Sequence, residues 1–137
     1  MRVPATSSTI AAIASGTGGG IGTIRVSGPR AEAIGRSLFP SWPVEVQSHH
    51  LYLGHVKAGA EPIDQVMACL MRAPRSYTGE DVLEIHGHGG AINLRRILDA
   101  CLSAGAEPAA PGEFTRRAFL SGKLDLTSAE EIGRAHV

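Results

Sequence analysis

Aromatic residues are scarce in this chain, at 4% of 137 residues, so its 43% hydrophobic content is mostly aliphatic. Cysteine is sparse too. Cys69 and Cys101 are too few for a disulfide framework. Both sit in apolar runs, which reads as buried free thiols and fits a reducing, cytoplasmic compartment. Neither sign of charge predominates: 13 Lys and Arg oppose 13 Asp and Glu, for a formal net charge of +0. That balance removes any global electrostatic drive toward nucleic acid or an acidic membrane and leaves only local basic faces. No apolar run approaches the ~20 residues of a membrane span, and the stretch from Ile10 to Ala14 is too short for a signal-peptide core. Nucleotide-binding signatures are missing as well. No G-x-G-x-x-G register fits between Gly16 and Gly28, and the pair Gly122-Lys123 lacks the surroundings of a P-loop.

What is abundant is glycine, with 17 residues, accompanied by 8 prolines. Together they predict turns and tight backbone approaches, not a helical bundle. Thr9 to Ala14 reads as a strand running into a glycine loop, Gly16 to Gly22. A second strand, Thr23 to Ser27, ends at Gly28-Pro29, and a short helix follows to Leu38. Leu51 to Val56 alternates as a strand, with a turn marked by Gly59 and Pro62. Ile63 to Met71 is nearly continuous in apolar residues, which favours a strand buried on both faces. Asp81 to His86 is a further strand. From Ala91 to Ser103, Leu94, Ile97, Leu98, Cys101 and Leu102 repeat at helical spacing opposite Arg95, Arg96 and Asp99, and Gly105 ends the helix. Glu107 to Pro111 is extended, and Gly112 to Leu120 forms a short helix ended by Gly122. Thr127 to Glu130 resembles a capping box. The order β-β-α-β-β-β-α-α describes an α+β domain with a mixed β-sheet packed by helices.

Three segments can carry chemistry. The glycine loop is either a tight strand connection or a close backbone approach to a flat ligand. In the segment Asp81 to Gly90, Glu84 and His86 share one strand face, and His88 joins them if the strand persists. Those three are zinc-type ligands, but a metal is the weaker reading because glycines flank the histidines and no cysteine is near in sequence. Glu84, on an otherwise apolar strand, needs a partner. From Pro111 to Leu126, Arg116, Arg117 and Lys123 form a basic cluster beside Phe114 and Phe119. Arg116 and Arg117 read best as a solvated helix face, whereas Lys123, between a glycine and alternating leucines, sits near the sheet.

Taken in order, Thr9 to Ala14, Gly19-Gly20-Ile21-Gly22, Ile24-Arg25-Val26-Ser27-Gly28, Ser76-Tyr77-Thr78-Gly79-Glu80-Asp81-Val82-Leu83-Glu84, His88-Gly89-Gly90 and Pro111-Gly112-Glu113-Phe114 through Leu126 resemble the N-terminal domain of the MnmE (TrmE) tRNA-modification GTPase family. The resemblance implies a fold like the tetrahydrofolate-binding fold of glycine-cleavage aminomethyltransferases, and a homodimer that binds formyl- or methylene-tetrahydrofolate. It implies work with an MnmG-type flavin-dependent partner to place an aminomethyl or carboxymethylaminomethyl group on C5 of the wobble uridine of tRNA. Matched by motif, the folate-contacting positions are Arg25, Glu84 and Lys123. A carboxylate such as Glu84 suits the amino-pyrimidine edge of a pterin, and Arg25 and Lys123 suit carboxylates or a polarised carbonyl. The competing expectations are a stand-alone folate-dependent aminomethyltransferase-like protein and a dimerisation module without ligand.

The resemblance also divides the chain, with residues 1–124 as the folate-binding and dimerisation domain and 125–130 as the start of a helical domain. A GTPase domain, with its GTP, magnesium and potassium, belongs to a part outside this sequence, as does the family's C-terminal cysteine motif. Residues 131–137 depart from the family pattern and read as a non-native tail. The loop Ser15-Gly16-Thr17-Gly18 departs as well, since family members carry prolines and an arginine there.

Overall fold

The computed structural model describes residues 8–58 and 60–122. Its strands are β1 (Ile10–Ile13), β2 (Ile21–Ser27), β3 (Leu51–Ala58), β4 (Glu61–Met71), β5 (Val82–His88) and β6 (Glu107–Pro108). Its helices are α1 (Ala31–Leu38), α2 (Ala91–Ser103) and α3 (Glu113–Leu120). The strands form one sheet in the order β3-β4-β5-β2-β1-β6. Neighbours are antiparallel, except that β6 runs parallel to β1. The fold is therefore α+β with a mixed sheet.

One face of the sheet carries the core. Ala11, Ile24, Val26, Val66, Ala68, Leu83 and Ile85 point into it and meet Ala31 and Ile34 of α1 and Leu94, Ile97 and Cys101 of α2. Most of these side chains are fully buried, and each large one contributes about 1.5–3 kcal/mol relative to exposure. The helical stripe read from the sequence is the buried stripe of α2, with Leu98 and Leu102 at its margin. Gly105 follows the helix at φ +120, a conformation that favours glycine. Among the described residues, no helix is long and apolar enough to cross a membrane.

Two expectations need correcting. Strand β4 is buried on one face only: Val66, Ala68 and Leu70 point into the core, while Met67 and Cys69 lie on the opposite face. An unbroken apolar run hides the period-two signal that would have shown this. Cys69 is accordingly only half-buried, whereas Cys101 is buried as expected. The extended segment after α2 proves to contain β6, two residues long and paired with the distant β1. Gly59, Lys123 and the Thr127–Glu130 box lie outside the described residues.

The glycine loop between β1 and β2 folds back on the turn before α2. Gly18 N–H donates to the Gly89 carbonyl at 2.7 Å, and Gly89 N–H donates to the Gly20 carbonyl at 3.3 Å. A Cβ at Gly89 would sit 2.2 Å from the Gly19 carbonyl oxygen. The glycines at this crossing serve close approach of two backbones.

Candidate ligand site on the open face of the sheet

Among the described residues, neither α1 nor α2 covers the second face of the sheet, and its Ser27–Val82 end is buried beside α3. Alternation places Thr23, Arg25 and Ser27 of β2 on it, beside Val82, Glu84, His86 and His88 of β5. The register sets Arg25 directly opposite Glu84, with Ala12 of β1 on one side and Cys69 of β4 on the other. Thr23 stands opposite His86, and Ile21 opposite His88.

Arg25 and Glu84, singled out as charges in need of partners, find each other. Arg25 Nε donates to Glu84 Oε2 at 3.0 Å, with both side chains partly exposed. Among the described residues, the guanidinium's terminal nitrogens have no hydrogen-bond partner. The guanidinium carbon lies 5.2 Å from the centre of the Tyr77 ring and 5.5 Å from that of Phe114, within cation–π range. Arg25, Tyr77 and Phe114 then line a cleft of about 330 Å³, together with Ala12 and Ile13 of β1, Ala14, and Ala109–Gly112. Glu84 sits beside Arg25 and, on its other side, near His86, whose Nε2 is 3.5 Å from Glu84 Oε1. His86 Nδ1 is in turn 3.0 Å from Thr23 Oγ1. Burial and the Glu84 charge push the neighbouring Cys69 thiol up from its ordinary value, so this cysteine stays neutral.

The walls of this cleft are held by a buried ion pair. Arg117 of α3 donates to Glu80 Oε1 at 3.1 Å and to the Ser8 carbonyl at 2.7 Å. Glu80 also accepts from Ser27 Oγ at 2.8 Å, and Arg117 reaches Glu113 at 3.1 Å. Tyr77 and Thr115 share a hydrogen bond of 2.9 Å. This overturns the reading of Arg117 as a solvated residue: it is buried, while Arg116 is exposed as expected. Phe114 and Tyr77 are thereby fixed against Arg25.

Lys123 lies outside the described residues, so two of the three sequence-matched positions are brought together here. Of the three candidate metal ligands, Glu84 and His86 stay together and His88 leaves them. Strand β5 does persist through His88, but His88 pairs with Asp64, and no group of three metal-type ligands occurs among the described residues. Sequence reasoning missed the role of Tyr77 as a wall, because a polar loop gives no period that says where its side chain lands. Phe114 was visible as an apolar anchor, but its partner was not.

The arrangement offers a carboxylate, a guanidinium with free donors and two aromatic faces at one cleft. That set can recognise a flat heterocycle with paired N–H groups and an attached anionic arm.

The family model described as "GTP-binding protein TrmE N-terminus" matches residues 9–123. The chain is 51% identical over 138 residues to the "tRNA modification GTPase MnmE" of Synechococcus sp. (strain RCC307), covering 96% of this chain and 30% of that protein. It is 54% identical over 129 residues to the protein of the same name from Geobacter metallireducens, covering 90% and 28%. To that of Chlamydia caviae it is 50% identical over 125 residues, again covering 90% and 28%. The chain thus spans less than a third of the length of these relatives.

Proposed function

The chain belongs to the family of the GTP-binding protein TrmE N-terminus, and from that premise we propose that it is the tetrahydrofolate-binding and dimerisation part of a tRNA-modification GTPase. In this reading the whole protein acts in the cytoplasm with a flavin-dependent partner. It adds an aminomethyl or carboxymethylaminomethyl group at C5 of the wobble uridine, and GTP is handled by another part of the protein. The relatives' shared name supports the tRNA-modification role. Kinship with the aminomethyltransferase fold is part of the proposal and is compatible with the mixed sheet.

The observation that carries the reading is the Arg25–Glu84 pair beside the cleft walled by Tyr77 and Phe114. Its volume falls within the usual range of small-molecule sites. Glu84 accepts paired N–H bonds from the amino-pyrimidine edge of the pterin, and the hydrogen bond from Arg25 orients that carboxylate. The terminal nitrogens of Arg25, with Lys123, hold the carboxylates or carbonyl of the folate. Tyr77 and Phe114 shield the Arg25 charge from water and offer apolar faces to the ring. Formyl- or methylene-tetrahydrofolate, when bound, supplies the one-carbon unit. Self-association is supported by the β3 edge, unpaired among the described residues, where Leu51 and Leu53 are 52% and 66% exposed.

Calorimetric titration with 5-formyl-tetrahydrofolate tests the assignment. Replacing Glu84 by Gln removes a charged acceptor worth about 1.5–3 kcal/mol, so affinity should fall roughly 10- to 100-fold. A folded Glu84→Gln variant that binds as tightly as the parent contradicts the reading. Sedimentation of the same samples reports the dimer separately.

A further inference from the structure

On the side of Glu84 away from Arg25 stands a histidine to which the folate reading gives no task. His86 follows Glu84 on the same face of β5, opposite Thr23 of β2 and Met67 of β4. Its ring bridges two polar groups: Nδ1 lies 3.0 Å from Thr23 Oγ1 and Nε2 lies 3.5 Å from Glu84 Oε1. The second is a loose contact, of the kind that tightens when a ligand fixes the carboxylate. The other carboxylate oxygen, Oε2, accepts from Arg25 Nε at 3.0 Å. Each oxygen of Glu84 is thus flanked by one nitrogen of the sheet. A carboxylate has about four lone-pair sites, so one donor on each oxygen leaves a site free on each. That matched pair is what two parallel N–H groups of a ligand require.

A carboxylate only accepts, so a neutral imidazole that holds it carries its proton on Nε2. Nδ1 then presents a lone pair. The Thr23 hydroxyl, which makes no other hydrogen bond among the described residues, donates to it. Thr23 therefore selects the tautomer, because the bond made by one ring nitrogen decides which of the two bears the proton. Few other titratable groups share the neighbourhood. Arg25 and Glu84 lie on the same face, and Cys69 of β4 stands opposite Glu84. Burial and the Glu84 charge push the Cys69 thiol up, so it adds no charge of its own. His88, next along the face, is taken by Asp64 at 2.8 Å.

We propose that His86 is a positioning residue for Glu84, holding Oε1 as Arg25 holds Oε2, and that its protonation weakens folate binding. The inference rests on the folate reading and deepens it. When the imidazole is protonated, both ring nitrogens donate, and Thr23 has to accept instead. A second positive charge then stands beside the carboxylate. It draws Glu84 Oε1 away from the ligand and repels the N–H groups of the amino-pyrimidine edge. The neutral ring holds the same oxygen without that charge, so affinity should fall as the pH falls.

Long-range proton–nitrogen NMR and titration calorimetry with 5-formyl-tetrahydrofolate test it together. In the free protein at about pH 8, His86 should be protonated on Nε2 and bare on Nδ1, and Thr23→Val should bring in the other tautomer. Parent affinity should fall about threefold or more between about pH 8 and about pH 5.5. His86→Gln keeps an amide donor that does not titrate. It should bind like the parent at the higher pH and lose the pH dependence. His86→Leu, checked for folding by circular dichroism, should bind about three- to tenfold more weakly at the higher pH. A free protein with His86 protonated on Nδ1 overturns the proposal and leaves the folate site standing. So does a pH dependence that persists in His86→Gln, or a folded His86→Leu with parent affinity. A parent chain that binds no folate, or a folded Glu84→Gln variant that binds as tightly, overturns the folate reading and this inference with it.

Discussion

Replacing Arg117 by Met keeps the aliphatic stem of the side chain and deletes its charge. Glu80 is then left as a carboxylate in a site where the two partners' side chains are only 10% and 7% exposed. It retains Ser27 and loses the guanidinium; the Ser8 carbonyl loses its donor as well. Breaking a buried pair from one side costs about 3–5 kcal/mol, and the residual exposure places this case at about 3. Against a total stability of about 5–15 kcal/mol, that loss should lower Tm by roughly 10 °C. Urea and thermal unfolding followed by circular dichroism measure it. The double variant Glu80→Leu with Arg117→Met removes both charges and should recover most of the loss. Because Arg117 anchors α3, the single variant should also loosen Phe114 from Arg25 and weaken any ligand held there. A single variant melting within about 2 °C of the parent would refute the claim that this pair holds the walls of the cleft.

Three further outcomes follow from named contacts. Gly89→Ala forces a Cβ against the Gly19 carbonyl, and overpacking of this kind should cost about 1–3 kcal/mol or more, read from the urea midpoint. Burial pushes the Cys101 thiol up to about 12, so iodoacetamide at mildly alkaline pH should modify it roughly a thousandfold more slowly in the folded than in the unfolded chain. Cys69 should fall between, and rapid labelling of Cys101 would contradict its place in the core. Glu32 is held below the ordinary glutamate value, first by its hydrogen bond from Arg72, against burial and with help from Arg36. Burial pushes Asp64 up, but its bonds from Asn93 and His88 outweigh that and hold it below the ordinary aspartate value. Carboxylates depressed in the folded state stabilise it above their unfolded values, and that contribution is lost as pH falls through the folded ones. Tm should therefore drop below about pH 4.5, and Glu32→Gln should flatten the drop.

Much of the fold was legible because local signals agreed with tertiary need. The 3.6-residue stripe of α2 is its buried face, Gly28-Pro29 and Gly105 fall between elements while Pro62, read as part of a turn, lies inside β4, and Ile24 with Val26 marks the core side of β2. What was hidden depends on pairing across the chain. The one-sidedness of β4 is masked by Met67 and Cys69, which are apolar yet face away from the core. The two residues of β6 become a strand only because β1 lies beside them. In the site, Arg25 and Glu84 were readable as charges on β-rich segments. Their mutual contact is a property of the β2–β5 register, and Tyr77, Phe114 and the burial of Arg117 depend on how α3 docks. Asp64 gave no sign, because its partners come from two other elements.

The central claim is that the cleft at Arg25, between Tyr77 and Phe114, is where a reduced folate lies. Intermolecular nuclear Overhauser effects in the complex with 5-formyl-tetrahydrofolate measure this most directly. The account predicts contacts from the ligand's ring protons to the Tyr77 and Phe114 rings, abolished in folded Arg25→Ala and Glu84→Ala variants. Contacts to Ile21, Leu53 or Met67 in their place, or binding that both variants retain, would contradict it.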